Sequence, residues 1–214
     1  MKKVRVLTAL EEQKIVAVIR ADDVDQAVKI SEACINGGIN IIELTYSIPC
    51  VEAAVEKLLN LYKGNDEVVI GVGTVLDPYT AREAIFAGAN FIVGPSFDLT
   101  TASLCNLYQV PYMPGCLTVT EIKEAMEAGA DVVKIFPGSN VDPSFIKAVK
   151  APIPQANMMP TGGVNIDNID AWIKQGAVAV GVGGNLVAPA KTGDFKQITK
   201  LASEYVAKVK EASS

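Results

Sequence analysis

The chain has 214 residues, half of them apolar and one fifth charged, with no histidine and a formal net charge of −5. That is enough for one domain with a large core, too apolar for a disordered chain, and too acidic to grip phosphate backbones, so no nucleic-acid partner is expected. The absence of histidine excludes His-ligated metals, Ser-His-Asp triads and Cys-His pairs, leaving Lys, Glu, Asp, Tyr, Cys and backbone groups to carry any chemistry.

Residues 1–13 alternate charges with short apolar stretches and are expected to form a helix ahead of the first strand. They contain no apolar core of the signal-peptide kind, and no stretch approaches the ~18 apolar residues of a membrane span. A cytoplasmic protein that does not enter a membrane is expected. Eight short apolar runs follow, six of them rich in Val and Ile: IVAVI (15–19), INIIEL (39–44), VVIGVG (68–73), NFIVG (90–94), PYMPG (111–115), DVVKIF (131–136), NMMPTGG (157–163) and VAVGVGG (178–184). None alternates strictly with polar residues, which is the pattern of parallel strands buried on both faces. Between them lie helix-length segments with apolar residues three and four apart, such as 23–36 and 51–62, and 194–212 supplies a last helix. Eight strand–helix units without a linker-like break predict an α/β protein, a single-domain (β/α)8 TIM barrel over residues 1–214 with an extra N-terminal helix.

Runs two, four, six and eight share one plan, seen at 37–43, 87–93, 128–134 and 175–181. A helix stops at Gly and a strand is expected to start two residues later. Glu43 and Lys134 each stand five residues after the glycine of their unit. Because alternate strands of a barrel fill the same interior layer, the two side chains are expected to face each other.

Lys134 is flanked by Val132, Val133, Ile135 and Phe136, a poor place for a solvated ammonium. Burial among apolar walls disfavours the charged form of a lysine and frees the amine as a nucleophile, the usual design of imine-forming lysines. Glu43, in INIIELTYS, must be paired, protonated or functional, and opposite Lys134 it could move protons as general base and acid. A structural ion pair is the plainer alternative for both. Pro-Thr-Gly-Gly-Val-Asn (160–165) and Gly-Val-Gly-Gly-Asn (181–185) end runs seven and eight, where barrels often bind phosphate; the candidates are Gly162, Gly163, Gly183 and Gly184, with Asn165 as the N-cap of the next helix. Arg20, ending run one, could hold a carboxylate or merely form a rim salt bridge. Gly-Val-Gly-Thr (71–74) lacks the GxGxxG pattern of a dinucleotide site. Cys34, Cys50, Cys105 and Cys116 are scattered without metal-ligand spacing and read as small core residues.

The segments IVAVIRADD (15–23), GGINIIELT (37–45), GVGTVLDP (71–78), YMPGCLTVTE (112–121), VVKIFPG (132–138) and PTGGVN (160–165) resemble those of the 2-keto-3-deoxy-6-phosphogluconate (KDPG) / 4-hydroxy-2-oxoglutarate (KHG) aldolases, in that family's order and over almost the whole chain. The resemblance implies a class I aldolase free of metal and cofactor, usually a homotrimer. It would act on small keto acids and aldehydes, with Lys134 as the imine-forming lysine and Glu43 as the proton shuttle. It further implies substrate contacts from Thr74 and Thr161, pocket walls from Pro95 and Phe136, and phosphate contacts from Gly162 and Gly163. Two positions depart from the common pattern of that family: Ser47 stands where many members have an arginine, and Gly184 where many have a serine. Carboxylate binding then falls to Arg20, hydroxyls or backbone donors, and a phosphorylated substrate is less firmly implied. Two other readings stay open at this level: an isomerase or epimerase using Glu43 without an imine, and a phosphosugar-binding barrel without catalysis.

Overall fold

The computed structural model describes residues 1–213. Helix α1 (Lys2–Gln13) leads into β1 (Ile15–Ile19), α2 (Val24–Asn36), β2 (Ile41–Thr45), α3 (Val51–Leu61), β3 (Val69–Gly73), α4 (Pro78–Phe86), β4 (Ile92–Val93) and α5 (Leu99–Tyr108). The second half comprises β5 (Tyr112–Met113), β6 (Gly115–Cys116), α6 (Val119–Glu127), β7 (Val133–Ile135), α7 (Ser144–Lys150), β8 (Met158–Pro160), α8 (Ile169–Lys174), β9 (Val180–Val182), α9 (Gly184–Val187) and α10 (Phe195–Ser213). Acidic and hydroxyl side chains start α2, α4, α5 and α6 where the chain leaves a strand. Asp23 accepts the Gln26 N–H at 2.8 Å, Asp77 those of Tyr79 and Thr80 at 2.8 and 2.9 Å, and Thr118 with Glu121 forms a reciprocal capping box.

The strands are parallel, in a six-stranded sheet ordered β5-β4-β3-β2-β1-β9 and a three-stranded sheet ordered β6-β7-β8. Every strand residue is buried, as runs without polar alternation require. The ladders differ from eight continuous strands in two places. The fifth run is split into β5 and β6 at Pro114, which has no N–H to give, although its carbonyl accepts the Lys134 N–H at 2.9 Å. Between β8 and β9 the contact is a bridge, Thr161 to Gly181, with the Val178 N–H donating to the Met158 carbonyl at 3.0 Å. The strands are also shorter than several of the apolar runs, β4 being two residues rather than five.

The repeat is structural. Gly38, Gly88, Gly129 and Gly176 all take φ between 89° and 102°, the left-handed region that a side chain disfavours. After each, the next N–H reaches back five residues to a helix carbonyl: Ile39 to Cys34, Ala89 to Ala84, Ala130 to Ala125 and Ala177 to Trp172, at 3.0 to 3.2 Å. This reversal uses residues that the sequence assigned to the strand, so the strands begin three or four residues after the glycine instead of two.

Two apolar layers result. Helices α2 to α10 bury one face on the outside of the sheets. On the inside, Val16, Ile41, Val69, Phe91, Met113 and Met159 form a cluster with Val6 and Leu10 of α1, which lies across the N-terminal ends of the strands. Phe91 fits there because Gly71 is opposite: a Cβ on Gly71 would collide with the Phe91 ring, 2.5 Å from two of its atoms.

Candidate active site

Side chains alternate along a strand, so a step of two residues from the inner cluster toward the C-terminal ends keeps to the same face. That step leads from Ile41 to Glu43, from Val132 to Lys134 and from Met159 to Thr161. These side chains line a cavity of about 330 Å³ at the C-terminal ends of the strands. Arg20, Thr74, Pro95, Phe136, Gly162, Gly163, Gly183 and Gly184 line it too, so the structure brings together every residue singled out for the site. Val18 and Thr45 also line it and were missed; Thr45 was within reach of the same two-residue step from Glu43. A larger groove of about 950 Å³ opens at the other end of the strands, between α1 and α10, away from Lys134 and Glu43.

Lys134 Nζ lies 3.5 Å from Glu43 Oε1, with the two side chains 6% and 1% exposed. An ion pair so far out of water adds little net stability, because desolvation offsets most of the Coulomb attraction. Neither Glu43 oxygen has a hydrogen-bond partner, nor has the buried Thr161 hydroxyl, whereas most buried polar atoms do. The Phe136 ring covers the amine at 5.0 Å from its centroid. A nucleophile, a proton-carrying group and a hydroxyl thus converge on one cavity, the carboxylate and hydroxyl oxygens without hydrogen-bond partners.

The rim is held by the backbone. Thr74 takes φ 62°, a strained state for a β-branched residue that costs about 1–2 kcal/mol. Gly162 and Gly163 have φ of 89° and 75°, and their loop is clamped: the Gly138 N–H donates to the Thr161 carbonyl at 2.8 Å, and Asn168 Nδ2 donates to the Gly163 carbonyl at 2.9 Å. Asn165 is not the cap of α8. Its Oδ1 accepts the Asp167 N–H at 2.8 Å, an intervening turn that satisfies the side chain before the helix begins, and Asn168 flanks α8 instead. Ser47 stands outside the cavity lining, its hydroxyl 2.6 Å from Thr45 Oγ1. Because Thr45 gives its single hydroxyl proton to the Ile19 carbonyl at 2.9 Å, Ser47 is the donor to Thr45.

Cys34, Cys105 and Cys116 are buried, and desolvation pushes their thiols up to about 12, so they are inert at neutral pH; Cys50 is exposed, which corrects its assignment to the core. Among the described residues, no three Cys, Asp or Glu side chains gather where they could share a metal ion, and no helix is long and apolar enough to cross a membrane.

A buried amine beside a carboxylate at the C-terminal ends of parallel strands is equipped to form an imine and to move a proton next to it. The sequence model of one family, described as KDPG and KHG aldolase, matches residues 6–201, and the chain belongs to that family. The 2-dehydro-3-deoxy-phosphogluconate aldolase of Treponema pallidum is 32% identical over 205 residues, covering 94% of this chain and 96% of that one. The 2-dehydro-3-deoxy-6-phosphogalactonate aldolase of Escherichia coli is 31% identical over 199 residues, covering 92% and 95%. Among solved structures, a KDPG aldolase from Legionella pneumophila, with pyruvate captured at low pH as a covalent carbinolamine intermediate, superposes with a TM-score of 0.84. It is 27% identical, over 92% of this chain and 96% of that one.

Proposed function

We propose that the protein is a metal-free class I aldolase that reversibly cleaves a 2-keto-4-hydroxy acid to pyruvate and an aldehyde. The observation that carries this reading is the buried Lys134 amine 3.5 Å from the Glu43 carboxylate in a cavity open at the strand ends. The neutral amine attacks the C2 ketone, and loss of water from the carbinolamine leaves a protonated imine. Glu43, through a water, takes the C4 hydroxyl proton as the C3–C4 electrons move into the imine, releasing the aldehyde and leaving an enamine. Glu43 then returns the proton to C3, and hydrolysis frees pyruvate and the lysine.

The names of the relatives bring two kinds of substrate to this chain: the 6-phosphorylated 2-keto-3-deoxy acids, which yield glyceraldehyde 3-phosphate, and 4-hydroxy-2-oxoglutarate, which yields glyoxylate. In this reading Arg20, Thr74 and the Thr161 hydroxyl bind the keto acid, Pro95 and Phe136 form the walls, and the N–H groups of Gly162, Gly163, Gly183 and Gly184 hold a distal phosphate. The two sheets are read as arcs of one closed eight-stranded barrel, a single domain whose fifth strand is broken at Pro114 and whose ends meet at the Thr161–Gly181 bridge. Helix α1 is its extra N-terminal helix.

Homotrimerisation is supported by exposed apolar side chains on and beside the neighbouring helices α4 and α5, among them Leu76, Tyr79, Phe86, Leu99 and Leu107. A related solved chain, matching with a TM-score of 0.86, is described as a protein cage made by fusing symmetric oligomeric domains. Four unpaired thiols suit a reducing cytoplasm. The test of the function is borohydride reduction in the presence of pyruvate followed by peptide mass mapping. A reduced pyruvyl adduct on Lys134 is expected; folded protein that cleaves substrate without an adduct there would discard the imine.

A further inference from the structure

Gly73 ends β3 within the Gly-Val-Gly-Thr stretch, and it has no part in the chemistry above. A Cβ built on it would run into Glu43 Oε1, with Glu43 Cδ at 2.6 Å and Cγ at 2.7 Å; its three nearest atoms all belong to that one side chain. In the ladder Glu43 pairs with Gly71 and Thr45 with Gly73, so the Glu43 side chain leans one pair toward the strand ends, over Gly73. Neither carboxylate oxygen accepts a hydrogen bond, so packing over Gly73 acts together with the Lys134 amine at 3.5 Å to set the position of the group. The backbone beneath it is tied on both sides. The Gly73 carbonyl accepts the Tyr46 N–H at 2.9 Å, the Val75 N–H donates to the Val93 carbonyl at 3.1 Å, and Thr74 between them is locked at φ 62°. If a side chain were placed at residue 73, β3 could not retreat and the carboxylate would have to move.

We propose that Gly73 is a positioning residue: the space left by its missing side chain is the seat of the Glu43 carboxylate, and it fixes that group relative to the Lys134 amine and the carbon to be protonated. The inference rests on the aldolase reading given above. The test is Gly73→Ala, read on separate steps. Trapping of pyruvate on Lys134 stays within about threefold of the parent, while methyl hydrogen–deuterium exchange of pyruvate and kcat for cleavage both fall about 10²-fold, the usual cost of misplacing a catalytic group by an ångström. Glu43→Asp draws the carboxylate back by one methylene, so Glu43→Asp/Gly73→Ala recovers about tenfold over Gly73→Ala although Glu43→Asp alone is impaired. Equal losses in trapping and exchange, or a double variant as poor as the product of its two parents, overturn the proposal.

Should Gly73→Ala fail to fold, the melting of Glu43→Ala/Gly73→Ala is compared with that of Glu43→Ala. With the carboxylate gone, the second change leaves Tm unaltered; a marked drop would mean that residue 73 packs against something else. Absence of an adduct in the parent protein would sink the aldolase reading, and the melting pair would still decide what fills the space over Gly73.

Discussion

The inner face of the strands holds two layers two residues apart, and they are built on opposite principles. At the floor, Val16, Ile41, Val69 and Phe91 close against Val6 and Leu10 of α1, each fully buried and each apolar. One step up, the same strands present Glu43, Lys134 and Thr161, with Gly71, Gly73 and Gly181 among them. The floor fills space with side chains, whereas the upper layer leaves gaps with glycine so that a neighbour can lean in. Thr161 Oγ1 occupies the place of a Gly181 side chain as the Glu43 carboxylate occupies that of Gly73. The apolar floor closes the N-terminal side of the amine and carboxylate, so the reactive layer depends on the inert one without sharing its chemistry.

The sharpest way to break this contrast is to alter the upper layer without changing its charge. Lys134→Arg keeps a cation but cannot form an imine, and it is expected to lower kcat at least about 10³-fold and abolish the borohydride adduct, with the far-ultraviolet dichroism retained. Substantial residual cleavage would erase the distinction between the layers. On the floor the reverse is expected. Phe91→Ala empties a fully buried site and destabilises by about 3–5 kcal/mol in denaturant titration, while the protein that remains folded still traps pyruvate.

Away from both layers, Thr118→Ala removes one half of the capping box of α6 and costs about 1 kcal/mol without touching catalysis. The other half is sensitive to pH. The N–H groups of Leu117 and Thr118 hold the Glu121 carboxyl below its ordinary range. Its contribution to stability is therefore complete above the ordinary carboxylate pKa and is lost as pH falls through the lowered one. Thermal melts of Glu121→Gln and the parent should converge in acid and separate toward neutrality.

The pairing of Glu43 with Lys134 was legible because the repeat supplies a ruler: each stands five residues after a glycine that closes a helix by the same hydrogen bond. In the other two units the residues at that distance are Gly181, which lines the same cavity, and Val93, which packs with the apolar cluster beneath it. What escaped were relations between neighbouring strands. The use of Gly73 depends on which side chain leans over it, and that of Thr45 on a bond to Ile19 from the adjacent strand. The break at Pro114 was in plain view, since proline cannot donate to a ladder, yet an apolar run hides where a strand stops. Asn165 misled because a side chain that can cap a helix can equally satisfy the turn before it.

Helix α1 covers the inner cluster at the N-terminal ends of the strands, and the cavity of Lys134 and Glu43 opens at their C-terminal ends. In the proposed cycle, the lysine lies deep and the aldehyde half of the substrate lies toward the opening, so traffic has a compulsory order. The aldehyde leaves first, because the pyruvyl group is still tethered behind it. In the synthetic direction, pyruvate must enter before its partner. The covalent bond to Lys134 thus imposes the order on the two products, and no further residue is needed to enforce it.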